Sequence, residues 1–111
     1  MKTTIEQFDE LAVVQLEGEF TLDDADRFRR ETLAQMEEKA RDFVLDLKGV
    51  EFMDSTALET LLWLQDQSAQ RLGQVRLAEL SENVAAILRL TRLDKRFDTH
   101  TDVESAVKSL R

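Results

Sequence analysis

Residues 43–47, FVLDL, form a short and nearly continuous apolar run. Five residues are too few for a buried helix, and the weak alternation means that both faces of the segment are covered. It therefore reads as a central strand of a sheet. Helix-period patterns lie on either side of it, and further apolar runs lie beyond them. A strand–helix–strand crossover within one sheet makes its strands parallel and is almost always right-handed. The expected class is α/β.

The remaining elements follow from that centre. Residues 3–8 (TTIEQF) and 11–17 (LAVVQLE) read as two strands joined by a tight turn at Asp9-Glu10. Thr21 with Asp24 has capping-box spacing and opens a helix over 22–38, with Ala25, Phe28, Leu33 and Met36 on its apolar face. The charges of RFRRETLAQMEEK then form its solvated side. A second helix spans 55–72 with Gly73 as its C-cap, and 75–78 returns as a strand. Ser81 lies in the segment capping a third helix at 82–92, whose C-terminal end gathers Arg89, Arg92, Lys95 and Arg96. Residues 96–99 read as a short edge strand. Thr101 with Glu104 has capping-box spacing for a last helix carrying Val103, Ala106, Val107 and Leu110. The expectation is one domain over 1–111, with a single mixed β-sheet of four to five strands and about four α-helices packed mainly against one face.

Composition removes most chemistries. The 111 residues suit one hydrophobic core. Fifteen basic against 23 acidic residues leave a net charge of −8, which disfavours a nucleic-acid partner. No window approaches the roughly 20 apolar residues of a membrane span. MKTTIEQFDE lacks the apolar core of a signal peptide, so a cytoplasmic location without membrane insertion is expected. With no cysteine there is no disulfide and no thiolate nucleophile or ligand. His100 is the only histidine, and the three glycines are too scattered for a phosphate loop. Neither a metal nor a cofactor is expected, and catalytic chemistry has few candidates.

The stretch VEFMDSTAL, residues 50–58, carries the densest signal. Asp54, Ser55 and Thr56 are all good N-cap residues, and Thr56 with Glu59 has capping-box spacing. One cap suffices, so at least one hydroxyl is left unassigned. A helical projection of the second helix places Leu58, Leu61, Leu62, Leu64 and Leu72 toward the sheet, with polar Gln65 among them. Ser55, Glu59, Trp63 and Asp66 fall on the other side. Trp63 there has two readings: packing against a neighbouring helix, or contact with a partner protein.

The sequence resembles the STAS domain family, and within it the stand-alone bacterial anti-sigma factor antagonists. LEGEF at 16–20, LDLKGVEFMDSTAL at 45–58 and LAELSENVAAILRLTRLDKRF at 77–97 carry the resemblance, the central segment being the most specific. It implies that Ser55 is phosphorylated by an anti-sigma factor that is also a GHKL-type serine kinase, with Asp54 and Thr56 supporting the site. Unphosphorylated antagonist would bind the kinase and release the sigma factor. Phosphorylation would end binding, and a serine phosphatase would reset the cycle. ATP would belong to the kinase, so this chain would catalyse nothing and hold no cofactor. Ala57 and Glu59 stand where the family has Gly and a small residue, and with Trp63 and Asp66 they are the expected partner-contact residues. A monomer is expected of a chain that exchanges partners. The alternative within the same fold is an accessory subunit of a lipid-transport ABC ATPase or of a sensory assembly.

Overall fold

Strands β1 (Lys2–Phe8) and β2 (Leu11–Glu17) pair antiparallel across the Asp9-Glu10 turn, where Asp9 takes the left-handed conformation at φ 55. The chain then alternates through α1 (Leu22–Glu37), β3 (Asp42–Gly49), α2 (Ser55–Gln70), β4 (Val75–Ala78), α3 (Glu82–Leu90), β5 (Asp98–His100) and α4 (Val103–Lys108). This is a computed structural model describing residues 1–110. Its one sheet has the order β1-β2-β3-β4-β5, with every pairing after the first parallel.

Residue alternation divides the sheet into two faces. Ala12, Val14, Leu16, Phe43, Leu45, Leu47, Val75 and Leu77 meet α1, α2 and α3 on one side. Three successive right-handed crossovers that all step the same way leave their helices on the same face. The opposite face is smaller. There α4 seats Ala106 against Val44 and Ala78, with Val103, Val107 and Leu110 around it. The expected bias toward one face is therefore observed, with α4 as the exception.

Strand positions agree with the sequence to within two residues, but three helices stop sooner than expected. α1, α2 and α3 end in the same motif, in which a residue just past the helix turns left-handed and two N–H groups fold back. Those residues are Lys39 (φ 79), Leu72 (φ 64) and Arg92 (φ 62). In α2 the Leu72 N–H donates to the Ala69 carbonyl at 3.0 Å and the Gly73 N–H to Ser68 at 2.8 Å. Gly73, expected as the C-cap, is thus not the left-handed residue of this motif. It is required by close approach instead, since a Cβ there would overlap the Arg41 carbonyl. Leu72, projected into the core stripe of an uninterrupted helix, is 85% exposed.

The remaining core-facing positions of α2 behave as projected. Leu58, Leu61 and Leu64 are buried, each contributing about 1.5–3 kcal/mol of apolar burial, and Leu62 is partly buried against the same core. Gln65 has a specific partner: its side-chain amide donates to the Arg96 carbonyl at 2.6 Å, tying the turn after α3 to α2. The last helix also starts differently in detail. Asp102, not Thr101, is its N-cap, accepting from the Ser105 N–H at 2.7 Å.

Candidate functional site

Two loops run side by side at the end of the sheet where β2 and β3 finish. The Gly18 N–H donates to the Gly49 carbonyl at 2.9 Å and the Phe20 N–H to Phe52 at 3.0 Å, while the Asp54 N–H returns to Phe20 at 3.2 Å. Phe20, Val50 and Met53 are buried beneath them, and Phe20 pairs with Met53 in an isolated parallel bridge. This zipper brings the starts of α1 and α2 together.

Asp54 sits at their meeting point. One carboxylate oxygen accepts from the Ala57 N–H at 2.9 Å, which caps α2. The other accepts from the Leu22 N–H at 2.9 Å, in the first turn of α1. A single carboxylate therefore answers one unpaired first-turn donor in each of two helices. Asp54 is the cap. The Thr56–Glu59 spacing forms no capping box: Thr56 lies within the first turn, and its carbonyl accepts from the Thr60 hydroxyl at 2.7 Å.

Ser55 is the first residue of α2 and is exposed. Its hydroxyl has no hydrogen-bond partner among the described residues, nor do the backbone N–H groups of Ser55 and Thr56. Further along α2, Glu59 and Asp66 are exposed as projected. Trp63 is half-buried. Its ring packs at the edge of the core, with the Arg29 guanidinium of α1 5.6 Å from the ring centroid. Part of the indole thus leans on the neighbouring helix and part stays open. Ala57 departs from its expected place among the contact residues. It is fully buried, so its methyl packs beneath the surface.

Two apolar residues beside the site were not singled out from the sequence. Leu22, whose N–H bonds to Asp54, is 66% exposed, and Phe52, two residues before Asp54, is 42% exposed. Phe52 carried a signal, being a large apolar residue in a loop of the most informative stretch. Leu22 carried none, because its exposure depends on how α1 meets the second loop.

Below Leu22, Asp24 completes the capping box of α1. Burial pushes its carboxyl up, but the Thr21 N–H at 3.1 Å, the Met1 amino group at 3.3 Å and Arg27 at 3.3 Å outweigh burial and hold it below the ordinary value of 3.8. His100 lies elsewhere, in an open cleft at the ends of β4 and β5 with Ser81, Glu82 and Thr101. Among the described residues no group of three or more His, Asp or Glu side chains is placed to hold a metal, and no helix is long and apolar enough to cross a membrane.

Comparison with known proteins agrees with this fold. The STAS domain family matches residues 2–106. A protein of Bordetella bronchiseptica (strain ATCC BAA-588 / NCTC 13252 / RB50), BtrV, provisionally named an anti-sigma factor antagonist, is 25% identical over 111 residues, covering 100% of this chain and 96% of its own. A STAS-domain containing protein of Pseudomonas aeruginosa (strain UCBPP-PA14) is 30% identical over 84 residues, 76% of this chain and 82% of its own. The solved structure of the anti-sigma factor antagonist SpoIIAA in its unphosphorylated form superposes with a TM-score of 0.85 at 19% identity, over 99% of this chain and 96% of SpoIIAA. SpoIIAA of Bacillus has also been solved in a phosphorylated form, with a TM-score of 0.75 at 19% identity, over 99% of this chain and 100% of that one.

Proposed function

Because this chain belongs to the STAS domain family, we propose that it is an anti-sigma factor antagonist switched by phosphorylation of Ser55. The unphosphorylated form binds a GHKL-type anti-sigma serine kinase in the cytoplasm and so releases the sigma factor. Phosphorylated protein lets go until a serine phosphatase restores it. The chain itself is a binding protein and not an enzyme, and ATP stays with the kinase.

The observation that carries this reading is the division of labour at residues 54–55. Asp54 supplies the side-chain cap of α2 and also binds the first turn of α1, which leaves the Ser55 hydroxyl exposed and without a structural task. A phosphate there would meet the free first-turn N–H groups at the positive end of α2. It would add about −1.5 to −2 charge one turn from exposed Glu59, with Asp54 adjacent. The added charge acts on a docked partner, through repulsion and desolvation, more than on the fold. Leu22, Phe52 and the open part of Trp63 supply the apolar contact that such a partner would cover.

Incubation with ATP and the GHKL-type kinase of the same organism tests this directly. Peptide mapping is expected to find one phosphate, on Ser55, and none on a Ser55→Ala variant. Failure to modify Ser55, with Thr56 also silent, would sink the mechanism. Ser55→Asp is expected to weaken kinase binding without changing the circular-dichroism spectrum. The accessory-subunit reading uses the same face, and exposed Glu59, where the antagonists have a small residue, is the observation in its favour. Co-purification with a transport ATPase in place of a kinase would select it.

A further inference from the structure

β1 is a free sheet edge of unusual openness. It runs seven residues with an unbroken register against β2, contains no proline, and lies at the end of the strand order. Natural edges of this length are normally blunted by bulges, proline or like charges. The opposite edge, β5, has only three residues.

The two-residue turn makes Phe8 and Leu11 a hydrogen-bonded pair, so the even-numbered residues of β1 bond to β2. Thr3, Ile5 and Gln7 then point their N–H and C=O groups away from the sheet. Lys2, Thr4 and Glu6 project their side chains outward, all exposed, and neither Lys2 nor Glu6 has an ion-pair partner among the described residues.

We propose that β1 pairs antiparallel with β1 of a second copy of this chain, with Thr4 opposite Thr4 on the two-fold axis. In that register Thr3 exchanges backbone hydrogen bonds with Ile5 of the other copy, and each Lys2 stands directly across from a Glu6. The pattern Lys-Thr-Thr-Ile-Glu is complementary to itself when reversed. Charges that would blunt the edge against other strands instead select a second copy.

Helix α1 follows the same edge. It runs in the same direction as β1: the Arg27 guanidinium donates to the Met1 carbonyl at one end, and the Gln7 amide donates to the Glu38 carbonyl at the other. The two-fold axis that sets Met1 opposite Gln7 therefore also sets exposed Arg30 near the start of one α1 toward the exposed Glu37 and Glu38 at the end of the other, while Arg27 is already paired with Asp24 and Glu31 of its own helix. Ser55, Glu59 and Trp63 lie on α2, outside this contact. The monomer expected from the sequence becomes the low-concentration form.

Sedimentation equilibrium from micromolar to near-millimolar chain tests the pairing. The wild type is expected to associate to dimers. Lys2→Glu and Glu6→Lys alone are each expected to weaken association about tenfold, since each variant faces two like-charged pairs. An equimolar mixture of the two variants restores association, because every Glu then faces a Lys across the axis. Both substitutions fall on exposed positions, and circular dichroism checks that the fold is kept. A chain that stays monomeric throughout overturns the proposal. So does a dimer indifferent to either substitution, or a mixture that fails to restore association.

Discussion

Replacing Asp54 with alanine removes two hydrogen bonds of 2.9 Å, each to the first turn of a different helix. Loss of an N-cap costs about 1 kcal/mol. The Leu22 N–H loses a charged acceptor, for which a further loss of about 1–2 kcal/mol is expected. Asp54 is half-buried, so water takes up part of the deficit. The sum is about 2–3 kcal/mol, a large share of the roughly 5–15 kcal/mol that holds a domain folded. It corresponds to a fall in Tm of about 10 °C for a chain of this size. Asp54→Ser separates the two bonds. A serine hydroxyl still caps Ala57 but is too short to reach Leu22, so it is expected to lose only about 1–2 kcal/mol. Urea unfolding followed by circular dichroism gives the totals, and amide hydrogen exchange locates them. Exchange at Leu22 is expected to quicken in both variants, and at Ala57 only in the alanine variant. A serine variant as stable as wild type would refute the shared-anchor reasoning, and an alanine variant within about 0.5 kcal/mol of wild type would remove the cap as well.

Other outcomes follow from the helix ends and from Asp24. Leu72→Gly is expected to stabilise by about 0.5–1 kcal/mol, since glycine relieves the left-handed strain and removes an 85% exposed leucine. Gly73→Ala, one residue on, is expected to destabilise by more than about 2 kcal/mol, because its Cβ meets the Arg41 backbone. Denaturant titration of the two variants reads the opposite signs. Asp24 has its carboxyl held below the ordinary value, so its stabilisation is present above the unfolded carboxylate range and is lost as pH falls through the folded value. Asp24→Asn is therefore expected to be less stable than wild type at neutral pH, with the gap narrowing in strong acid. An undiminished gap there would refute the linkage.

Sequence patterns carried the element order because local and tertiary preferences agree along most of the chain. Residues 43–47 read as a central strand and are central, and Thr21 with Asp24 reads as a capping box and is one. The departures arise where the deciding group is distant in sequence. Leu72 continues the leucine stripe, yet the close approach of the residues around Gly73 to Arg41 ends the helix before it. Gln65 breaks the apolar arc because its partner is the Arg96 carbonyl. At the site, residues 54–56 were legible as a cap with a spare hydroxyl. That Asp54 also serves α1 was not, because Leu22 lies 32 residues away in the chain.

The strand order has a consequence for what kind of site Ser55 can be. In open parallel sheets, small ligands settle into the crevice that opens where neighbouring strands send their chains to opposite faces. Here β2 and β3 both lead to helices on the same face, so Ser55 stands on a continuous shelf formed by the starts of α1 and α2. The divergence falls farther along, where β4 leads to α3 and β5 to α4 on the other face, and the open cleft beside His100 lies there. Ser55 is thus presented on an outward platform that another macromolecule can cover, separate from the recess that the topology opens beside His100.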